Sequence, residues 1–253
     1  MQIQKLDTKA PKTIDKKDIE KETKELKTEM AELQHKMRAQ EKYSLLIILQ
    51  GMDASGKDGV VRRVFSEIPA FGISVASFKQ PTREELAHDF LWRVHRHTPS
   101  KGQITIFNRS HYEDVLVTRV LGLTDDETAK KRFKLINDFE NIVQHNNTII
   151  LKFFLNASKE EQKEDLLDRM KNPEKFFKHS DGDWETRAQW DLYMQYYNEC
   201  IENTQEYAKW YIVPSDQNWY KDYTIAKTVV ETLQKLPLGY PPLKTELDIN
   251  KLK

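Results

Sequence analysis

From Tyr43 onward, five short apolar runs rich in β-formers punctuate the chain: residues 45–49, 73–78, 104–107, 148–155 and 210–213. Long stretches with helical periodicity and few Gly or Pro separate them. Strands alternating with helices predict an α/β fold, with a parallel sheet wrapped on both faces. The runs are nearly continuous rather than alternating, the pattern of strands covered on both sides. Upstream, residues 1–42 hold no Phe, Trp or Tyr and are dense in Lys and Glu. There Ile19, Leu26, Met30, Leu33 and Met37 recur at spacings of seven, four, three and four, a helical stripe opposite a solvated face. Such an arm serves oligomerisation or docking, or it lies against its own body. The first dozen residues, with Pro11, predict a loose tail. The body spans 43–253, and its polar stretch 171–183, interrupted by Pro173 and Gly182, predicts a mobile insertion.

A length of 253 residues suits one large domain or one with an appendage. Forty basic side chains balance forty acidic ones. That neutrality excludes a globally basic nucleic-acid coat and a globally acidic tail protein. Mean hydropathy is −0.74, and the apolar runs fall far short of the roughly 20 residues that span a bilayer. No apolar stretch of the signal-peptide kind opens the sequence. The single cysteine, Cys200, allows neither an internal disulfide nor a zinc cluster. A cytoplasmic protein is expected.

The strongest local motif is Gly51-Met52-Asp53-Ala54-Ser55-Gly56-Lys57-Asp58. It matches the phosphate-binding pattern G-x-x-x-x-G-K, then places Asp58 where Ser or Thr is usual. An apolar run precedes it and a helical pattern follows, the context this chemistry needs. Gly51 and Gly56 let the backbone wrap a phosphate closely. Backbone N–H groups and the following helix start supply an anion site, and Lys57 adds a point charge. With no hydroxyl at 58 to hold Mg²⁺, Asp53 inside the loop becomes the candidate metal ligand, the alternative being a turn-capping Asp.

A second strand runs into Asn108-Arg109-Ser110-His111-Tyr112-Glu113-Asp114, at the end that faces the ligand crevice in a doubly wound sheet. Arg109 is suited to clamp phosphate oxygens in bidentate fashion. Glu113 and Asp114 lie in reach of metal or base, or serve only as partners of a helix dipole. Cations accumulate nearby: Arg62, Arg63, Lys79, Arg83, Arg93, Arg96 and Arg119. They prepare the site for more than one polyanion, or form an ordinary solvated face. His95, His97 and His111 have no Cys or H-x-x-x-H partner to support zinc.

These residues bring the chain close to a known group. Over nearly all of its body it resembles the polyphosphate kinase 2 family. The resemblance rests on the segment 51–58 with Asp53 inside it and on Pro81-Thr82-Arg83-Glu84-Glu85 continuing to Phe90-Leu91-Trp92-Arg93-Val94-His95. It rests equally on the run 107–116 and on Lys152-Phe153-Phe154-Leu155 with Ser158-Lys159-Glu160-Glu161-Gln162. Stretches 181–193 and 210–214 are similar too.

The resemblance implies a three-layer P-loop kinase-like core with a helical lid. It implies Mg²⁺-dependent phosphoryl transfer, with Mn²⁺ as a substitute, between inorganic polyphosphate and nucleoside mono-, di- and triphosphates. By similarity, Asp53 and Lys57 are catalytic and Arg109 clamps the transferred phosphate. Gly51, Met52, Ala54, Ser55, Gly56, Asp58, Asn108, Tyr112, Glu113 and Asp114 complete the phosphate and nucleotide site. Arg62, Arg63, Lys79, Arg93 and Arg119 are assigned to the polyphosphate groove, and Arg169, Lys175 and Lys178 to the lid. Asn108 departs from the Asp common in the family, so no charge at 108 holds the metal. The run 108–116 looks most like the branch that phosphorylates both mono- and diphosphates of adenosine or guanosine. Trp184, Phe176, Phe177 and Tyr112 are stacking candidates for the base, with Glu113 as an acceptor, though aromatics in such helices are more often core.

Three rivals are weighed. An ATP-dependent nucleoside monophosphate kinase shares the P-loop and lid but does not need the extra cations. A nucleotide switch without turnover would carry a conventional residue at 58. RNA binding by the 79–119 cations lacks a basic-aromatic module. The expected partners are therefore polyphosphate and nucleotides, without nucleic acid or membrane, in a homo-oligomer.

Overall fold

The computed structural model describes residues 2–245. Strands β1 (Ser44–Gln50), β2 (Ile73–Ser77), β3 (Ile104–Asn108), β4 (Thr148–Asn156) and β5 (Trp210–Pro214) form one parallel sheet in the order β2-β3-β1-β4-β5. The helices are α1 (Lys16–Gln40), α2 (Lys57–Val64), α3 (Arg83–Leu86), α4 (Trp92–His95), α5 (Val117–Val120), α6 (Asp126–His145), α7 (Lys159–Lys171), α8 (Gly182–Ala188), α9 (Trp190–Asn203) and α10 (Asn218–Gln234). All five apolar runs are strands.

The central strand shows why two helical layers are needed. Its side chains alternate between faces, and every residue of β1 is buried. Leu45, Ile47 and Leu49 pack with Met30, Met37, Val60, Val64, Ile225, Val229 and Leu233 of α1, α2 and α10. Leu46 and Ile48 pack with Phe133, Ile136, Tyr197 and Ile201 of α6 and α9. The result is a three-layer α/β fold. The expectation of strands covered on both sides fails at β2. It pairs only with β3 at the sheet edge and leaves Ser74 and Val75 exposed.

The stripe of α1 is taken up by the body. Ile19, Met30 and Met37 are buried, and Leu26 and Leu33 pack against the same core as α10. Gln34 is fully buried on that face and donates to the carbonyls of Gly72 and Gly102, both at 3.2 Å. Of the two readings of the arm, the helix lying against its own body is the one observed.

The first residues are not a loose tail. Ile3 is fully buried and its N–H donates to Asn198 Oδ1 at 2.9 Å. Thr8 Oγ1 donates to Asp216 Oδ2 at 2.7 Å, and the Ala10 N–H to Gln217 Oε1 at 2.9 Å. The segment crosses the ends of β4 and β5 and pairs polar groups there, which composition alone did not reveal. The stretch 171–183 forms a 3₁₀ turn (Pro173–Lys178) and the start of α8, tied by an Arg169–Asp183 ion pair at 2.8 Å. No helix among the described residues is long and apolar enough to cross a membrane.

Replacing a fully buried Ile by Ala removes its packing and leaves a cavity. Ile3→Ala is expected to lower unfolding free energy by about 2–4 kcal/mol, read from the urea midpoint at unchanged slope. A midpoint equal to wild type would mean the segment is not part of the core.

Candidate active site

The register of the sheet sets Leu49 beside Asn108 and Phe153, so the loops after β1 and β3 begin side by side. The first loop turns sharply through two glycines, Gly51 at φ 148° and Gly56 at φ 92°. A Cβ on Gly51 would stand 2.9 Å from the Leu155 carbonyl oxygen, closer than any side chain tolerates. Met52, Ala54 and Ser55 are buried in the turn, with Ala54 at φ 63°. At the start of α2, Lys57 folds back over the loop. Its Nζ donates to the Gly51 and Met52 carbonyls at 2.8 and 3.0 Å and to Ser55 Oγ at 3.4 Å. Burial, and then the charge of Arg109, push its ammonium down to about 8.

The second loop brings a guanidinium. Arg109 holds φ 62°, a left-handed conformation that costs a non-glycine residue about 1 kcal/mol or more. Its N–H donates to the Leu49 carbonyl at 3.1 Å, and its guanidinium pairs with the Asp53 carboxylate. Glu113 Oε2 lies 3.9 Å from the same guanidinium. Burial opposes the charge of Arg109, but Asp53 and Glu113 more than offset it and hold the group protonated. Burial pushes the carboxyl of Glu113 upward, against the attraction of Arg109 and Lys57. Asp53, Lys57, Arg109 and Glu113 thus form one charge cluster.

The two departures from common patterns complement each other. Asn108 Nδ2 donates to Asp58 Oδ1 at 2.7 Å. Asp58, at the start of α2, thus sets a carboxylate beside Asn108. Lys178 Nζ reaches the same carboxylate at 3.7 Å, so the 171–183 stretch approaches the start of α2 there. Arg169 pairs with Asp183, and Lys175 with Asp168, inside the lid.

Other assignments are corrected. Tyr112 is fully buried and offers no face to a base. Its hydroxyl donates to Glu140 Oε1 at 2.5 Å and accepts from Lys152 Nζ at 2.9 Å. Lys152 also donates to Glu140 Oε2 at 2.7 Å and to the Thr204 carbonyl at 2.5 Å. The 3₁₀ turn His111–Val115 points this aromatic inward. Arg119 does not line a groove. Its side chain is 2% exposed, bound to Asp126 and Glu199 at 2.7 and 2.9 Å. Arg63 is held by Asp222 at 2.5 Å. Arg93 donates to the Lys79 carbonyl at 2.9 Å and faces Asp114 at 3.9 Å. Arg62 and Lys79 remain on the exposed surface. Burial and the charge of Lys152 push His111 down to about 3. No cluster of three His, Cys, Asp or Glu among the described residues is arranged to hold a metal alone.

Three residues at the site were missed. Gln162 is fully buried, donates to the Asp53 carbonyl at 3.0 Å and accepts from Arg187 Nη1 at 3.1 Å. Lys221 donates to the Ser55 carbonyl at 3.1 Å. A signal existed for Lys221: it falls on the stripe of α10 that carries Ile225, Val229 and Leu233, and a lysine there must be buried. Tyr197, also buried, faces Glu113, Asp53 and Arg109, and burial raises its hydroxyl well above the usual value.

The model of the family Polyphosphate kinase 2 (PPK2) matches residues 13–237. The AMP/ADP-polyphosphate phosphotransferase of Meiothermus ruber is 46% identical over 221 residues, 87% of this chain and 83% of the relative. The ADP-polyphosphate phosphotransferase of Rhodopseudomonas palustris is 40% identical, over 84% of this chain and 78% of that one. The crystal structure of Polyphosphate Kinase 2 from Arthrobacter aurescens TC1 superposes with a TM-score of 0.92 at 38% identity, covering 97% of this chain and 89% of that one.

Removing one partner of a buried ion pair strands the other charge. Glu140→Leu is expected to destabilise by about 3–5 kcal/mol, and adding Lys152→Met to recover most of that loss. Chemical denaturation of the single and double variants measures it. Additive losses would contradict the coupling.

Proposed function

The chain belongs to the polyphosphate kinase 2 family, and from that membership we propose that it phosphorylates both AMP and ADP from inorganic polyphosphate, reversibly and with Mg²⁺. The observation that carries the reading is the joint placement of Lys57, Asp53, Arg109 and Glu113 at the mouths of two adjacent parallel strands. The similarity to a relative named for both AMP and ADP supports the choice of acceptors.

The residues suit a hard divalent cation. Mg²⁺ is usually held by one or two carboxylates together with substrate phosphates. Asp53 offers a carboxylate within the phosphate loop, and Asp58 a second at the start of α2. When bound there, the cation neutralises charge between two polyanions that would otherwise repel. The chain's own groups do the rest. Backbone N–H groups of 51–57 and the Lys57 ammonium bind the end of the polyphosphate chain. Arg109 exchanges Asp53 for oxygens of the terminal phosphoryl group. An oxygen of the nucleotide's terminal phosphate attacks that phosphorus in line, and the bond to the preceding phosphate breaks. The nucleotide gains one phosphate and polyphosphate loses one. No protein nucleophile takes part; positioning and charge neutralisation supply the rate. Lys178, already at Asp58, closes the lid side of the cleft and excludes water. The homo-oligomer expected from the arm draws no support from the α1 stripe, which α10 covers.

Incubating the protein with Mg²⁺, polyphosphate and either AMP or ADP should yield ATP from both, read by chromatography. Lys57→Ala and Asp53→Ala should each lower turnover by about 10³-fold or more with circular dichroism unchanged. Chelation should abolish transfer, and Mg²⁺ or Mn²⁺ restore it. ATP from ADP alone would remove the dual-acceptor reading. Transfer only with ATP as donor would mark a conventional monophosphate kinase.

A further inference from the structure

Lys221 lies on the core-facing side of α10, 2% exposed. An ammonium so placed needs partners, and its neighbour Asp222 is engaged elsewhere, by Arg63 Nε and Nη2 at 2.5 and 3.0 Å. The Lys221 Nζ instead donates to two carbonyls, Ser55 at 3.1 Å and Ser215 at 3.3 Å. It presses on the phosphate loop so closely that a Cβ on Gly56 would fall 2.3 Å from it. A side chain on Gly56 would have to displace this ammonium, and the positive φ there already favours glycine. Burial lowers Lys221 to about 8; Asp222, Asp165 and Glu161 support its charge, and Arg63 opposes it.

In a trans peptide the C=O and the following N–H point in opposite directions. Anchoring the Ser55 carbonyl on Lys221 therefore turns the Gly56 N–H away from Lys221. Gln162 does the same two peptide units earlier, since its bond to the Asp53 carbonyl orients the Ala54 N–H. Lys57 covers the loop from one side, and Lys221 sits against it from the α10 side.

We propose that Lys221 is a positioning residue for the phosphate chain: it holds the loop's amides toward the donor and stations a second positive charge behind them. The inference rests on the proposed function, since it assigns the loop to polyphosphate rather than to the nucleotide. It separates the two substrates. Loss of Lys221 weakens the hold on the phosphate chain and leaves the acceptor nucleotide unaffected.

Tripolyphosphate binding by calorimetry and steady-state kinetics on the full chain test this, with wild type, Lys221→Met and Lys221→Arg in parallel. Lys221→Met is expected to raise the tripolyphosphate Kd and the polyphosphate KM about tenfold or more, with the KM for ADP unchanged. Lys221→Arg should restore part of the loss. Unchanged tripolyphosphate affinity in Lys221→Met would overturn the proposal. So would an equal weakening of both substrates with a lowered Tm, the mark of a merely structural lysine. A wild-type protein that neither binds tripolyphosphate nor uses polyphosphate would overturn the functional reading as well.

Discussion

Arg109 and Asp53 neutralise each other across the gap between the loops that follow β3 and β1. The rest of the site follows from that ion pair. A free carboxylate inside a phosphate loop would repel the ligand, and a free guanidinium would lose much of its hydration without a partner. Paired, the two groups hold two loops in register before any substrate arrives. The same device recurs outward, in Lys178 with Asp58 and Arg93 with Asp114. The site is thus rich in charge yet locally neutral. A polyanion enters by exchanging partners, and the carboxylates it displaces are the groups a divalent cation would take.

The pair needs a frame that does not move. The frame begins with the parallel register of β1 and β3, which brings Leu49 and Asn108 together. Gln50 Nε2 donates to Ser110 Oγ at 3.1 Å, joining the ends of the two strands. Beneath them Tyr112, Glu140 and Lys152 form a buried, hydrogen-bonded network. Such networks are strong only when each member is satisfied. Here the Thr204 carbonyl takes a further Lys152 proton. The left-handed backbone of Arg109 is anchored by its own N–H, which donates to the Leu49 carbonyl.

Much of this was legible in the sequence, for a physical reason. Strands buried on both faces write themselves as apolar runs, and a loop that wraps phosphate must place glycines at fixed spacing. Lys57, Asp53 and Arg109 could be singled out because they stand in local patterns, and the structure brings them together. Arg119 was misplaced because a cation looks the same whether solvated or paired. Its burial against Asp126 and the distant Glu199 decides the matter, whereas Arg63 is paired with Asp222 but keeps a third of its side chain exposed. Tyr112 was misread for a similar cause: the inward turn of a short 3₁₀ segment has no periodicity to reveal it. The tail around Ile3 was lost because a single apolar residue in a polar stretch carries no pattern.

Arg109 and Asp53 occupy each other in the site, and a polyanion must displace the carboxylate to reach the guanidinium. The most direct test is tripolyphosphate binding to Asp53→Asn without divalent cation, by calorimetry at fixed ionic strength. Freed from its carboxylate, Arg109 should bind the anion about tenfold more tightly than in wild type. Equal or weaker binding by the variant would contradict the account.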